Sequence, residues 1–173
     1  MKLKSPGMQP IQIDEKIAIA KHMVSQWGDA LGADSGISAQ LRELAAKIEA
    51  SAGASLRSGV ARVCRQCEQE EGGSCCGAGI EDRYTSELLL INLLLGATLP
   101  GSTHSAGSCR FLRERGCTLH ARDIICVNYL CARLQKTIPP EKLFQLQEAN
   151  GSEMELLFLL HDRIRNFIRR KST

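Results

Sequence analysis

Eight cysteines fall between Cys64 and Cys131, and none lies outside that segment. Thiols crowded this closely bridge one another, bind metal or react, so the cluster constrains the chain more than any other feature. Staples are not needed merely to fold: 173 residues can bury a core of their own, and that length predicts one domain. The compartment decides between the remaining uses. The N-terminal stretch MKLKSPGMQPIQIDEK lacks the roughly 7–15-residue apolar core of a secretory signal. The longest apolar run, Leu88 to Leu95 with Asn92 inside it, is far short of the about 20 residues that span a bilayer. A cytoplasmic chain is expected, with no membrane partner. Reducing cytosol keeps thiols open, which favours metal binding over disulfides.

Charge and composition exclude other classes. A net charge of +3 is too small to argue for nucleic acid, and aromatic residues at 4% leave little for base stacking. The expected partner is a metal ion or cluster, with a protein partner left open and unidentified.

Outside the cluster the pattern is helical. Residues 1–12, with Pro6, Gly7 and Pro10, read as a flexible tail ahead of a single helical domain over 13–173. Ile13, Ile17, Ala20, Val24, Trp27 and Leu31 step at helical spacing, and Gly32 is placed to end that helix. A second stripe runs from Ile37 to Cys67, with a break expected near Gly53. Thr85 and Ser86 offer N-caps to SELLLINLLLGA, which is apolar nearly all round and so predicts a buried central helix. Gly72 to Gly79 and Leu99 to Ser108 read as loops, Cys109–Leu112 with Cys117–His120 as a short hairpin, and Cys126–Leu134 as a helical turn. Pro139 and Pro140 suit a helix start, with Leu143, Phe144 and Leu146 on its buried side. Asn150-Gly151 reads as a stop, and Ser152-x-x-Glu155 as a capping box that opens a last helix. His161 lies on that helix's apolar face as a packing residue, and His22 is solvated. The cations Arg163 to Lys171 suit a helix C-terminus. The whole reads as a mainly α, small helical domain with cysteine-rich metal-binding loops and room for one short β-hairpin, the segment 64–131 being inserted between helical flanks.

Within the cluster, Cys64 and Cys67 stand three apart at the end of a helix, so both thiolates can reach one centre. Cys75 and Cys76 are adjacent in a glycine-rich loop, where neighbouring side chains diverge. Cys109, Cys117, Cys126 and Cys131 follow with seven, eight and four residues between them, unlike the paired knuckles of a zinc ribbon. Structural zinc takes four ligands and a [4Fe–4S] cluster takes four thiolates, so eight cysteines allow one site or two. His120, three residues after Cys117, is a candidate nitrogen ligand and His104 a weaker one. Arg110, Arg113, Arg115 and Arg122 could offset the charge of bound thiolates.

These motifs carry a resemblance. Cys64-x-x-Cys67 with Cys75-Cys76, then Cys109-Arg-Phe-Leu-x-x-x-Gly-Cys117-Thr-Leu-His120, then Arg122-Asp-x-x-Cys126 are similar to the CxxCxxCC zinc- or iron-chelating domain family, the YkgJ-like cysteine-cluster proteins. The resemblance covers about 40% of the chain. Seven residues, instead of two or three, separate Cys67 from Cys75; Asp123 replaces the family's Pro, Val127 replaces its Arg, and Cys131 is additional. The resemblance implies metal chelation by the cysteines. A flagellin lysine methylase with an iron–sulfur centre carries a similar cluster, which favours iron–sulfur without implying methyl transfer here.

The expected ligand set is therefore Cys64, Cys67, Cys75, Cys76, Cys109, Cys117, Cys126 and Cys131, holding an iron–sulfur cluster for electron transfer or an enzymatic role. The alternatives are structural zinc in an interaction module, and a metal-free thiol redox protein. No GxGxxG, P-loop, GxSxG or HExxH occurs, so no motif names a substrate. The loops are short of apolar sequence beyond Phe111, Leu112, Ile124 and Ile125, which assigns their order to metal.

Overall fold

The computed structural model describes residues 11–71 and 75–172. Residues 1–10 of the expected tail, and Gly72, Gly73 and Ser74 of the first glycine loop, lie outside them. The protein is mainly α-helical, as the periodicity predicts.

Helix α1 (Ile13–Ala33) buries Ile13, Ile17, Ala20 and Leu31, and runs one residue past Gly32. Asp34 then separates it from α2 (Ser35–Ser58) and caps the new helix, its Oδ1 accepting from the Ile37 N–H at 2.9 Å. The break between α2 and α3 (Val60–Glu71) falls at Gly59, not near Gly53. Gly59 takes φ +88°, a left-handed conformation that favours glycine, whereas Gly53 stays inside α2. Helix α4 (Ser86–Leu94) is capped by Thr85, which accepts from the Leu88 N–H at 3.1 Å. It buries every residue from Leu88 to Asn92, so it is the central helix expected, ending earlier than its apolar run.

Two correlated departures mark the C-terminal half. Helix α7 (Pro140–Lys171) begins at the proline pair but runs unbroken through Asn150-Gly151. A buried Asn inside a helix needs a partner, and Asn150 Nδ2 donates to the Val127 carbonyl at 2.9 Å. That tie and the burial of Glu153 hold the helix together, overriding the local stop signal. Phe144, expected on the buried side, is exposed, while Leu143 and Leu146 are buried. His161 is half-buried, with its Nε2 3.1 Å from Thr85 Oγ1, and burial lowers its imidazole pKa.

α1 lies on α4 and α2 packs along α7, giving one large apolar cluster through Leu44, Leu89, Leu90, Leu160 and Ile164. A second, smaller cluster joins the end of α2 and α3 to the start of α7 through Ala54, Val60, Val63, Leu134, Ile138, Leu143 and Leu146.

The hairpin is present but smaller than the flanking sequence suggests: β1 (Leu112–Arg113) pairs antiparallel with β2 (Gly116–Cys117), Leu112 opposite Cys117. Gly116 closes the turn at φ +107°. In place of one turn over 126–134, two short helices form, α5 (Ile124–Asn128) and α6 (Ala132–Thr137). Ile124 and Ile125 are exposed. The loops instead contribute Leu99, Phe111, Leu119 and Ala121 to the main cluster, so protein packing orders 99–121, where the sequence assigned that order to metal.

Glu153 is almost wholly buried, and its Oε2 is hydrogen-bonded to the Ser51 hydroxyl, which also reaches the Ile48 carbonyl at 3.0 Å. The second carboxylate oxygen is buried without a hydrogen-bond partner, and burial raises the Glu153 pKa. A protonated Glu153 can donate to Ser51 Oγ and leave the serine proton for Ile48. The folded state therefore holds this proton more tightly than the unfolded chain does. The resulting stability is complete below the ordinary glutamate pKa of about 4.3 and is lost as pH rises through the raised folded value. Glu153→Gln keeps a donor and removes the charge. It is expected to add about 1 kcal/mol at neutral pH and to flatten this slope, as read from urea midpoints at pH 5 and pH 8. Equal pH slopes in the two proteins would contradict the assignment.

Candidate metal centre

Each cysteine is placed by a different kind of local structure. Cys64 and Cys67 lie on α3, the first exposed and the second half-buried. Cys75 is exposed, and Cys76 is half-buried against the main apolar cluster. The loop around Cys76 runs antiparallel to 107–109: the Cys109 N–H donates to the Cys76 carbonyl at 2.7 Å, and the Ala78 N–H to Gly107 at 2.8 Å. Cys109 is buried in the main cluster. Cys117 sits in β2, held by the Thr118 N–H donating to the Phe111 carbonyl at 2.9 Å. Cys126 lies in α5, which Asp123 caps through the Ile125 N–H at 3.0 Å. Cys131 is the N-cap residue of α6 and packs against the second apolar cluster.

Tyr84 organises one part of the region. It is buried, its ring meets Phe111 edge-on at 5.1 Å, and its hydroxyl accepts from the Asp123 N–H at 3.2 Å. That hydroxyl donates to Cys126 Sγ at 3.9 Å. Burial first, and then the charge of Cys126, push the tyrosine pKa up. Asn92, wholly buried in α4, fastens the strand that leaves the hairpin. It accepts from the His120 and Ala121 N–H groups at 2.8 and 3.0 Å and donates to the Ala121 carbonyl at 2.7 Å.

Burial is the leading cause wherever a thiol pKa moves. It pushes Cys109 up to about 12 and Cys126 up to about 11, with the Tyr84 hydrogen bond opposing the second shift. Cys117 is exposed by surface area, yet enough protein surrounds its sulfur for desolvation to raise it, against the pull of Arg122. Cys64 and Cys75 are raised by burial and next by Cys131. Cys76 acts on five other thiols: it adds to the shifts of Cys64 and Cys75, and also to those of Cys109, Cys117 and Cys126.

Each of the eight expected ligands thus lies near enough to another for their charges to interact, and none is in a disulfide. They are neighbours and not a formed site: among the described residues, no group of three or more His, Cys, Asp or Glu side chains is placed to hold a metal ion. The donor chemistry fits a thiophilic centre, because the set is all thiol and one sulfur has a hydroxyl donor directed at it.

Of the other candidates, His120 is exposed, and it is its backbone N–H that ties it to Asn92. His104 pairs with Glu114 at 3.8 Å. Arg110 pairs with Asp14 at 2.9 Å and donates to the Gly101 carbonyl, and Arg113 donates to the Ser102 carbonyl at 2.6 Å, so these two fasten the 99–108 loop. Arg122 is the arginine whose charge acts on a candidate ligand, Cys117. Tyr84 and Asn92 are the site residues that motif reading passes over. A polar residue inside an apolar helix is the available signal for Asn92; an isolated Tyr in a polar stretch gives none.

Comparison of the chain with family models, with curated proteins and with solved structures returns no match. Among the described residues, no helix is long and apolar enough to cross a membrane.

Proposed function

We propose that this is a cysteine-cluster metalloprotein of a reducing, cytoplasmic environment, holding an iron–sulfur centre through its thiolates for electron transfer or an enzymatic role. The observation that supports the reading is the run of mutual charge effects that connects the thiols of α3, the 75–79 loop, the hairpin region and the α5–α6 segment, none of them in a disulfide. The resemblance to the CxxCxxCC family supports the same reading from the motifs. Iron–sulfur is favoured by the Tyr84 hydroxyl on Cys126 Sγ and by Arg122 near Cys117, since donors and positive charge near the sulfurs are what tune such clusters.

Structural zinc is the second reading. It is favoured by the brevity of α5 and α6, five and six residues long, which a metal would staple. A metal-free redox role is disfavoured, because raised thiol pKa values leave protonated and weakly nucleophilic sulfurs at neutral pH.

Anaerobic purification followed by elemental analysis separates these readings. Iron with a roughly equal amount of acid-labile sulfide is expected. Zinc without sulfide would establish the structural reading, and absence of both metals would overturn the proposal.

A further inference from the structure

We infer that the cysteines divide into two four-thiolate sites, Cys64, Cys67, Cys75 and Cys131 in one and Cys76, Cys109, Cys117 and Cys126 in the other, with the chain passing from one site to the other between Cys75 and Cys76. The inference rests on the metalloprotein reading and goes beyond it in site number and membership.

The division follows the two apolar clusters. Cys109 is part of the main cluster and Cys76 packs against it, while the hydrogen bond between the Cys109 N–H and the Cys76 carbonyl holds these two residues side by side. Phe111, in the same cluster, leads into the hairpin that carries Cys117, and its ring contact with Tyr84 brings in Cys126 through the tyrosine hydroxyl. Cys76, Cys109 and Cys126 are therefore linked by named contacts around the Tyr84–Phe111 pair, and the hairpin that follows Phe111 carries Cys117. These thiols are neighbours that a bound metal would draw together, since no three of them are yet placed to hold one. Cys131 instead packs against the second cluster, which includes Val60 and Val63 of α3. The same helix carries Cys64 and Cys67, one turn apart and able to reach one centre.

Cys75 completes this second set. Cys76 is committed to the main cluster by its packing and by the Cys109 hydrogen bond, and neighbouring side chains diverge, which leaves Cys75 for the α3 set. Cys131 is the foremost thiol acting on both Cys64 and Cys75, with Cys76 acting on both more weakly than Cys131. Adjacent residues 75 and 76 then need not point at one centre, which removes the difficulty that a single site would face. Four thiolates per site also match what structural zinc or a [4Fe–4S] cluster takes, so membership does not depend on which metal is native.

The test uses the full chain stripped of metal and titrated anaerobically with cobalt(II) alone, read by thiolate-to-cobalt charge-transfer absorption and by bound metal per chain. Uptake of about two equivalents is expected. Cys131→Ser and Cys126→Ser should each fall to about one equivalent. The double variant Cys64→Ser/Cys131→Ser should lose no more than the single one, whereas Cys126→Ser/Cys131→Ser should lose both equivalents. Far-UV circular dichroism checks each fold, and Cys67→Ser replaces Cys131→Ser if the latter does not fold. Uptake of one equivalent by the unmodified chain, or loss of all metal from a single-site variant, would overturn the division and leave the metalloprotein reading standing. No uptake at all would overturn both.

Discussion

Asn92→Ala is expected to destabilise the protein by about 3 kcal/mol, because it strips partners from three backbone groups at once. The wild-type amide is 0% exposed and satisfies the His120 N–H, the Ala121 N–H and the Ala121 carbonyl. Its fourth contact, to the Leu88 carbonyl at 3.0 Å, is a local bond within α4 and matters less. Ala121 is wholly buried, so water does not readily replace the lost partners. Asn92→Asp separates the contributions: it retains acceptors for both N–H groups but loses the donor to Ala121 and buries a charge. Denaturant midpoints of the two variants measure the effect. The consequence reaches the proposed metal centre, since Ala121 links Cys117 to the Asp123-capped helix that carries Cys126. The Asn92→Ala chain should therefore retain less metal even under conditions where it stays folded. A midpoint shift equivalent to less than about 0.5 kcal/mol would show that 117–123 is held by something other than this amide.

The same residue shows what the sequence discloses and what it withholds. An asparagine inside an otherwise apolar run signals a buried polar anchor, but nothing in linear order says that its partners lie nearly thirty residues away. Periodicity disclosed α1, α2, α4 and the amphipathic halves of α7, because their buried faces repeat at helical spacing. It failed where tertiary contacts override local preference. Asn150-Gly151 looks like a helix stop until Val127 is seen to supply the asparagine with a partner. Gly53 and Gly59 are equivalent as letters, and only the chain's change of direction selects the second. Ile124 and Ile125 look like core residues, yet Leu119 and Ala121 are the ones buried, since α5 lies at the margin of the packed helices. For the cysteines, types and clustering were legible as candidates for a thiophilic site. The packing of Cys76 and Cys109 on one apolar cluster and of Cys131 on the other was not, because spacings of seven, eight and four intervening residues do not disclose it.

Removing metal is expected to loosen part of the protein and leave its helical framework intact. The main cluster closes without help: Leu89, Leu90, Ile91, Leu160 and Ile164 are all 0% exposed, and α1, α2, α4 and α7 meet there. Phe111, Leu119 and Ala121 anchor the hairpin region to that cluster, and Asn92 secures its exit. By contrast, α5 buries none of its five residues and α6 buries only Leu134. Isolated helices shorter than about 12 residues are marginal, so these two need external ties. The ties present are Asn150 to Val127, Tyr84 to Asp123 and the packing of Leu134 and Cys131, and bound thiolates would add to them. Chelation should accordingly lower the opening free energy of 124–137 by about 3 kcal/mol, which raises amide exchange there roughly a hundredfold. Exchange in α4 and in the Leu156–Phe167 stretch of α7 should stay close to that of the loaded protein, and far-UV ellipticity should fall only slightly. Collapse of the whole helical signal on chelation would mean that the metal sites, and not the α1–α2–α4–α7 core, hold the fold together. Unchanged exchange across 124–137 would instead remove Cys126 and Cys131 from the ligand sets.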